Sequence, residues 1–377
     1  MNKLPDTHSF DALRSMADAL LALLISRLTA SSGVEEHEML VEHAGRVRRL
    51  VDAVDVTDTE AMAELATVLL GEYDRLAGHA HSLHRVSSNT PSGHLTAEDF
   101  PVTQEEQQAT LDATIDSLGR IPENAANRDS HAPTLTYIVG QPAAGKTTLI
   151  SLLNRDNPGV VIDSDLIRLT HPRLGDIMEA DPLRMDVLSN QPVGFLVQGL
   201  FDHCFQQGLN IYIENTLTNA KVVAKTIAAA RTSGFTVNFE VLAVHPAVSQ
   251  LGIAGRYLAQ LRYRVPFPRW TSIPAHDIAY AAIPQALTTV IGEYFTAEDR
   301  ARVWDSGLSV VWDSEDHGDD AAIATQLVAA VTAIREAPIA DAHRDRFDAL
   351  RPQLAELTQT IPATAPIVDA VTGLFSE

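Results

Sequence analysis

The segment Leu135-Thr-Tyr-Ile-Val-Gly140-Gln141-Pro142-Ala143-Ala144-Gly145-Lys146-Thr147-Thr148 decides the fold. A short β-favouring run, Leu135 to Val139, enters a glycine-bounded turn, and the residues after it open a helical pattern over 146–154. Strand, loop and helix in that order are the context a Walker A motif requires. Glycines let the backbone wrap an anion, amides at the helix start point at it, and Lys146 neutralises the outer phosphates. Thr147 supplies a hydroxyl for Mg2+. Residues 140–148 are therefore the expected cradle for ATP or GTP. With four lysines in 377 residues, composition alone seldom produces this pattern. The loop does not say what is done with the nucleotide, because switches, motors and small-molecule kinases share it.

Downstream, short apolar runs at Val160–Asp163, Asn210–Glu214, Thr236–Val244 and Leu308–Trp312 alternate with helical patterns near 183–207, 219–233, 246–262 and 274–292. That alternation implies right-handed crossovers and an α/β, doubly wound, mostly parallel sheet covered on both faces. Helical patterns return over 319–335 and 341–358. Upstream, Leu13, Met16, Leu20, Leu23 and Leu24 recur at helical spacing. Further helical runs cover Glu38–Val54 and Thr59–Leu83, the latter opened by a capping box over Thr57–Glu60. A second capping box, Thr103–Glu106, starts a helix to about Leu118. Val86–Glu98 is rich in Ser, Gly, Pro and Asn and reads as a linker; 122–133 is a second polar stretch. The expected organisation is an N-terminal helical unit over 1–95, a P-loop core over 101–337 and a C-terminal helical extension over 338–377.

The chain carries 28 basic and 49 acidic residues, a net charge of −21, with 45% apolar residues and one cysteine. At roughly 150 residues per domain this is ample for a core in about two domains. The acidic balance argues against nucleic acid as a partner, since phosphate contacts need a basic surface. No apolar run approaches the ~20 residues that span a bilayer, so no membrane role is expected. The single Cys204 and the lack of a leader pattern give a cytoplasmic expectation. An anionic substrate then needs a local cluster of cations.

Ligands of open parallel sheets sit at the carboxyl ends of strands, and those ends are polar here. Val160-Val-Ile-Asp163-Ser-Asp165 places two carboxylates, Asp163 and Asp165, of which one is free to face a metal and the other a substrate hydroxyl; the alternative for either is a helix cap. Ile211-Tyr-Ile-Glu214-Asn-Thr216 ends in an acid that is costly to bury without a partner. After Val244-His-Pro, a helix carries Arg256 and leads to a loop ending Pro268-Arg269-Trp270. Phosphoryl transfer uses such cations, but among twenty-four arginines only position can select them. His79, His81 and His84 fall near the end of the third helical run, where a helix C-terminus accounts for them without a metal.

The succession GQPAAGKTT, VVIDSDLIRLTHP, IYIENT, VHPAVSQLGIAGRY and PRW before IPAHDIAYAAIP resembles the zeta toxin family of small-molecule kinases, over about 101–291. The resemblance implies a P-loop kinase core that uses ATP or GTP and Mg2+ to phosphorylate a nucleotide sugar, UDP-N-acetylglucosamine, and so halts cell-wall synthesis. It implies Lys146 and Thr147 as phosphate and magnesium ligands, Asp165 as the base facing the sugar hydroxyl, Glu214 and Thr216 as sugar contacts, and Arg256 and Arg269 as stabilisers of the transferring group. Where the family has Glu-Gly-Thr-Gly-Arg, this chain has Glu214-Asn-Thr-Leu-Thr218. Other acceptors, an NAD-like nucleotide or an antibiotic hydroxyl, therefore stay open, as does a non-catalytic nucleotide switch. Family toxins are blocked by an acidic helical antitoxin. The acidic helices of 1–95 are accordingly expected either as a tethered inhibitor, at an effective concentration of roughly millimolar order, or as a solubilising appendage beside an antitoxin in trans.

Overall fold

The computed structural model describes residues 6–77, 95–118, 132–181, 184–217, 219–317 and 322–376. The histidine cluster at 79–84, most of the expected linker and most of the second polar stretch lie outside them.

The central strand is β1 (Thr134–Val139), buried along nearly its whole length. It pairs in parallel with β3 (Ile211–Asn215) on one side and β4 (Thr236–Leu242) on the other. Beyond β3 lies β2 (Val160–Ile162); beyond β4 lie β5 (Arg300–Trp304) and β6 (Val310–Asp313), so the described sheet runs β2-β3-β1-β4-β5-β6. Leu135, Tyr137 and Val139 feed one apolar cluster and Ile138 the opposite one, which is the alternation a doubly covered strand requires. The chain leaves β1 towards β2 and β3 and returns across it for β4, which sets the loop after β1 at the reversal point of the sheet.

The sequence expectation for the far edge needs correction. The run at Leu308–Trp312 forms β6, and it is antiparallel, while an unanticipated parallel strand, β5, precedes it. Arg300 and Arg302 alternate with fully buried Ala301 and Val303, which hides the apolar signal. Arg302 is drawn in by Glu240 of β4 at 2.6 Å, and Trp304 Nε1 donates to the same carboxylate at 2.6 Å. The single helix expected over 183–207 is two, α8 (Met185–Leu188) and α9 (Val193–Gln207), separated at Pro192. The helix that Asp163 or Asp165 would cap is the short α6 (Ser164–Leu169), and a further short helix, α7 (Leu174–Ala180), went unread.

α1 (Thr7–Ala30), α2 (Val34–Ala53) and α3 (Thr59–Ala77) form the anticipated N-terminal helices. The Thr57–Glu60 capping box does not form. Thr57 donates to Asp55 instead, and Asp58 accepts from the Ala61 amide at 3.0 Å. The box at Thr103–Glu106 does form and starts α4 (Gln104–Ser117). Most of α1 is buried on every side, from Phe10 and Leu13 to Leu24 and Ile25, and its buried residues include Asp11 and Asp18. Its cluster runs without a break into Leu166, Leu169, Met178 and Leu188 of the α/β core. After α5 (Lys146–Asp156), α10 (Ala220–Thr232), α11 (Pro246–Arg262), α12 (Ile273–Tyr294) and α13 (Ile323–Arg335), the extension forms α14 (Asp341–Thr360) and α15 (Ala365–Ser376). Among the described residues no helix is long and apolar enough to cross a membrane.

Candidate active site

The loop after β1 reaches α5 through Gly145, whose φ of 101° suits glycine alone. No side chain caps α5, so its first amides face the loop's concavity. Beneath it passes α11, where a Cβ on Gly252 would lie 2.7 Å from the Ala143 carbonyl oxygen. Lys146 Nζ folds back to donate to the Gln141 carbonyl at 3.1 Å. Burial lowers its pKa, opposed by nearby Glu214.

Pro142, Ala143, Gly145, Lys146 and Thr147 line a cavity of about 780 Å3. Gly140, Gln141, Ala144 and Thr148 do not line it. The Gln141 side chain instead braces the loop from behind, donating to the Val244 carbonyl at 2.8 Å and Ser249 Oγ at 3.2 Å and accepting from Arg335 at 3.2 Å. Arg335 stacks on Tyr280, 3.9 Å from the ring centre.

Each expected chemical residue apart from Asp163 reaches this cavity: Asp165, Glu214, Thr216, Arg256 and Arg269 line it with Lys146 and Thr147. Thr147 Oγ1 donates to Glu214 Oε1 at 2.7 Å. Glu214 has a raised pKa, from burial first and then from Asp163 nearby. Asp163 spends Oδ1 on the amides of Asp165 and Leu166, at 2.8 and 3.4 Å, and so caps α6. Capping lifts Asp165 onto the first turn and into the cavity. Asp165 is paired with Arg269, while its other oxygen faces Arg168 at 3.4 Å. Arg256 donates to Thr271 Oγ1 at 3.1 Å, and burial lowers its pKa. Thr147 and Glu214 offer the hard oxygens that Mg2+ takes beside phosphate oxygens, so the donor set fits that ion. Several cations and a carboxylate in one cavity suit transfer of an anionic group to a hydroxyl.

One occupant of the cavity comes from the far end of the chain. Asp11 of α1 lines it together with Lys146, Arg256 and Arg269. It is 7% exposed, and its Oδ1 has no hydrogen-bond partner among the described residues. Burial raises its pKa, against the pull of Arg256, Arg269 and Lys146. One turn on, Arg14 reaches Asp18 at 3.4 Å and Asp52 at 3.7 Å. Burial, with Asp163 nearby, raises Asp18 to about 7. Thr7 Cγ2 would lie 3.4 Å from a Cβ on Gly145, and the His8 ring covers Gly255 so closely that a Cβ there would overlap it. Sequence reading missed Asp11 and Arg168. The available signals were an acid inside an otherwise apolar helical stretch and an arginine one turn after Asp165.

A family model described as Zeta toxin matches residues 120–317, just over half of the chain. Curated relatives include Toxin zeta of Enterococcus hirae and of Streptococcus pyogenes, each 30% identical over 165 residues, which is 42% of this chain and 56% of theirs. The chain thus spans a little over half the length of those two relatives. Toxin PezT of Streptococcus pneumoniae serotype 4 is 24% identical over 222 residues, 58% of this chain and 85% of that one. A solved structure from the PezAT chromosomal toxin–antitoxin system of Streptococcus pneumoniae is similar in fold, with a TM-score of 0.57 at 21% identity over 68% of this chain and 98% of that one. Motif, fold and matched segment agree: the chain belongs to the zeta toxin family.

Proposed function

We propose that this protein is a phosphotransferase that moves the γ-phosphoryl group of ATP or GTP, with Mg2+, to a hydroxyl of a nucleotide sugar, with UDP-N-acetylglucosamine as the expected acceptor and cell-wall synthesis as the process arrested. We propose further that α1 holds the enzyme off by occupying the phosphate position. The supporting observation is the convergence of Lys146, Thr147, Asp165, Arg256 and Arg269 from separate elements on one cavity, with Asp11 set among the three cations.

Lys146 and the α5 amides would hold the β and γ phosphates, and Thr147 with Glu214 would hold the ion, which spreads the developing charge. Arg256 and Arg269 would stabilise the group in flight, and Asp165 would accept the acceptor's hydroxyl proton as that oxygen bonds to phosphorus and the β–γ bridge breaks. Thr216 would contact the acceptor. Asp11, a carboxylate among cations, takes the place a phosphate needs, as an antitoxin helix would from a separate chain.

The test is to incubate the full chain and Asp11→Ala with ATP, Mg2+ and UDP-N-acetylglucosamine, and in parallel with a metabolite extract, and to seek a gain of one phosphate by mass spectrometry. Asp11→Ala should form product at least ~10-fold faster than the full chain, and adding Lys146→Ala should abolish it. Product from another metabolite alone would replace the acceptor. Nucleotide binding with no acceptor-dependent turnover in Asp11→Ala would replace the kinase reading with a switch.

A further inference from the structure

The part of α1 that overlies the site is its first turn and a half. Asp6 Oδ1 accepts the Ser9 amide at 3.2 Å as the N-cap of α1, and the same oxygen receives Arg346 of α14 at 2.7 Å. The Asp6 amide donates to the Val56 carbonyl at 3.2 Å, and Thr59 Oγ1 reaches Asp6 Oδ2 at 3.5 Å. Asp6 and Arg346 have side chains only 24% and 23% exposed. Burial opposes charge on Asp6, yet Ser9 and then Arg346 bring its pKa below the ordinary carboxylate value.

Arg346 is carried there by the C-terminal extension, whose Phe347, Leu354, Ile367 and Val371 pack with Ala247, Leu251 and Ala254 of α11. α11 is thus held between two layers. Its Gly255 receives His8 of α1, and its apolar flank receives α14 and α15. Nothing in the catalytic reading uses the extension, and the family match ends at residue 317.

We propose that α14 and α15 form a clasp for the inhibitory helix: the Arg346–Asp6 ion pair fastens the first turn of α1 over the phosphate loop, and opening that pair lets residues 7–11 fray, withdrawing Asp11 while residues 12–28 remain in the core. Helix ends open locally at lower cost than whole elements; opening this one also uncovers Phe10, which is fully buried, and Asp6, both cap and anchor, holds that balance. Five residues of helix separate Asp6 from Asp11, about 7.5 Å along the axis, so loss of the cap and the next turn is enough to move the carboxylate. This inference rests on α1 excluding the nucleotide.

The experiment measures binding of a fluorescent non-hydrolysable ATP analogue with Mg2+ to the full chain and to Arg346→Gln, Asp6→Asn, the double variant and Asp11→Ala. Asn keeps the capping oxygen and removes the charge. Each latch variant should raise affinity about 3- to 10-fold, consistent with a partly buried ion pair, and the double variant should gain no more than either single one. Hydrogen exchange of amides 8–13 should quicken by a similar factor in Arg346→Gln while exchange in β1 and β4 stays unchanged, which separates local release from general unfolding. If Asp11→Ala tightens binding and the latch variants leave both affinity and exchange unchanged, the clasp is overturned and inhibition by α1 stands. If Asp11→Ala also leaves affinity unchanged, inhibition by α1 itself is lost, and the clasp with it.

Discussion

Asp165 carries an arginine on each oxygen, Arg168 on one and Arg269 on the other. Two arginines hold this carboxylate in place, and an incoming anion that drew Arg269 away would uncover the proposed base. In an Asp11→Ala background, Asp165→Asn should cut turnover by about 10²- to 10⁴-fold while changing affinity for the ATP analogue less than threefold. A matching loss of binding in titrations would make Asp165 a structural residue. Lys146 and Thr147 were legible because the chemistry of a phosphate loop is written within nine consecutive positions. Asp163 was ambiguous, since an acid after a strand serves equally as cap or ligand, and the amides of Asp165 and Leu166 take it as a cap. Asp11 was not legible, because what defines it is contact with residues more than 130 positions away.

At the scale of an element, α11 packs against both the phosphate loop and α1. Its Gly252 clears the Ala143 carbonyl of the phosphate loop and its Gly255 clears the His8 ring of α1. Gly252→Ala should push the loop and weaken analogue binding, while Gly255→Ala should lift α1 and strengthen it, each by about 1–3 kcal/mol of repacking; calorimetric titration of both variants would show the opposite signs. Equal signs would mean that α1 and the loop move as one body. Elements with plain periodicity, such as β1, β4, α11 and α12, were readable. β5 was not, because its outward arginines are held by Glu240 and Asp313 and break the apolar run. The turn at Pro192 shows the converse, a breaker inside an otherwise helical pattern.

At the scale of the whole molecule, the junction of α1 with the core buries Asp18 near Asp163 and Glu214. The folded chain keeps a proton on Asp18 up to about pH 7, whereas the unfolded chain releases it in the ordinary carboxylate range. The protonated form therefore supports folding at low pH, and that support is lost as pH rises through the interval up to about 7, with no further loss above it. Asp18→Asn should flatten this fall and leave the variant more stable than the parent at pH 8 by on the order of 1–3 kcal/mol, as read from urea unfolding at several pH values. An unaltered pH profile would assign the dependence to other groups. The shared apolar cluster of α1 and the α/β core bears on truncation: removing residues 1–95 would strip Phe10, Leu13, Leu20 and Leu24 from the interior, so an uninhibited enzyme is better sought by point substitution than by deletion. Since α1 precedes the phosphate loop in the chain, it also leaves the ribosome first. On the proposed reading of α1, each newly made copy would carry its stopper before its catalytic half exists, a safeguard that a separately translated guardian could not match.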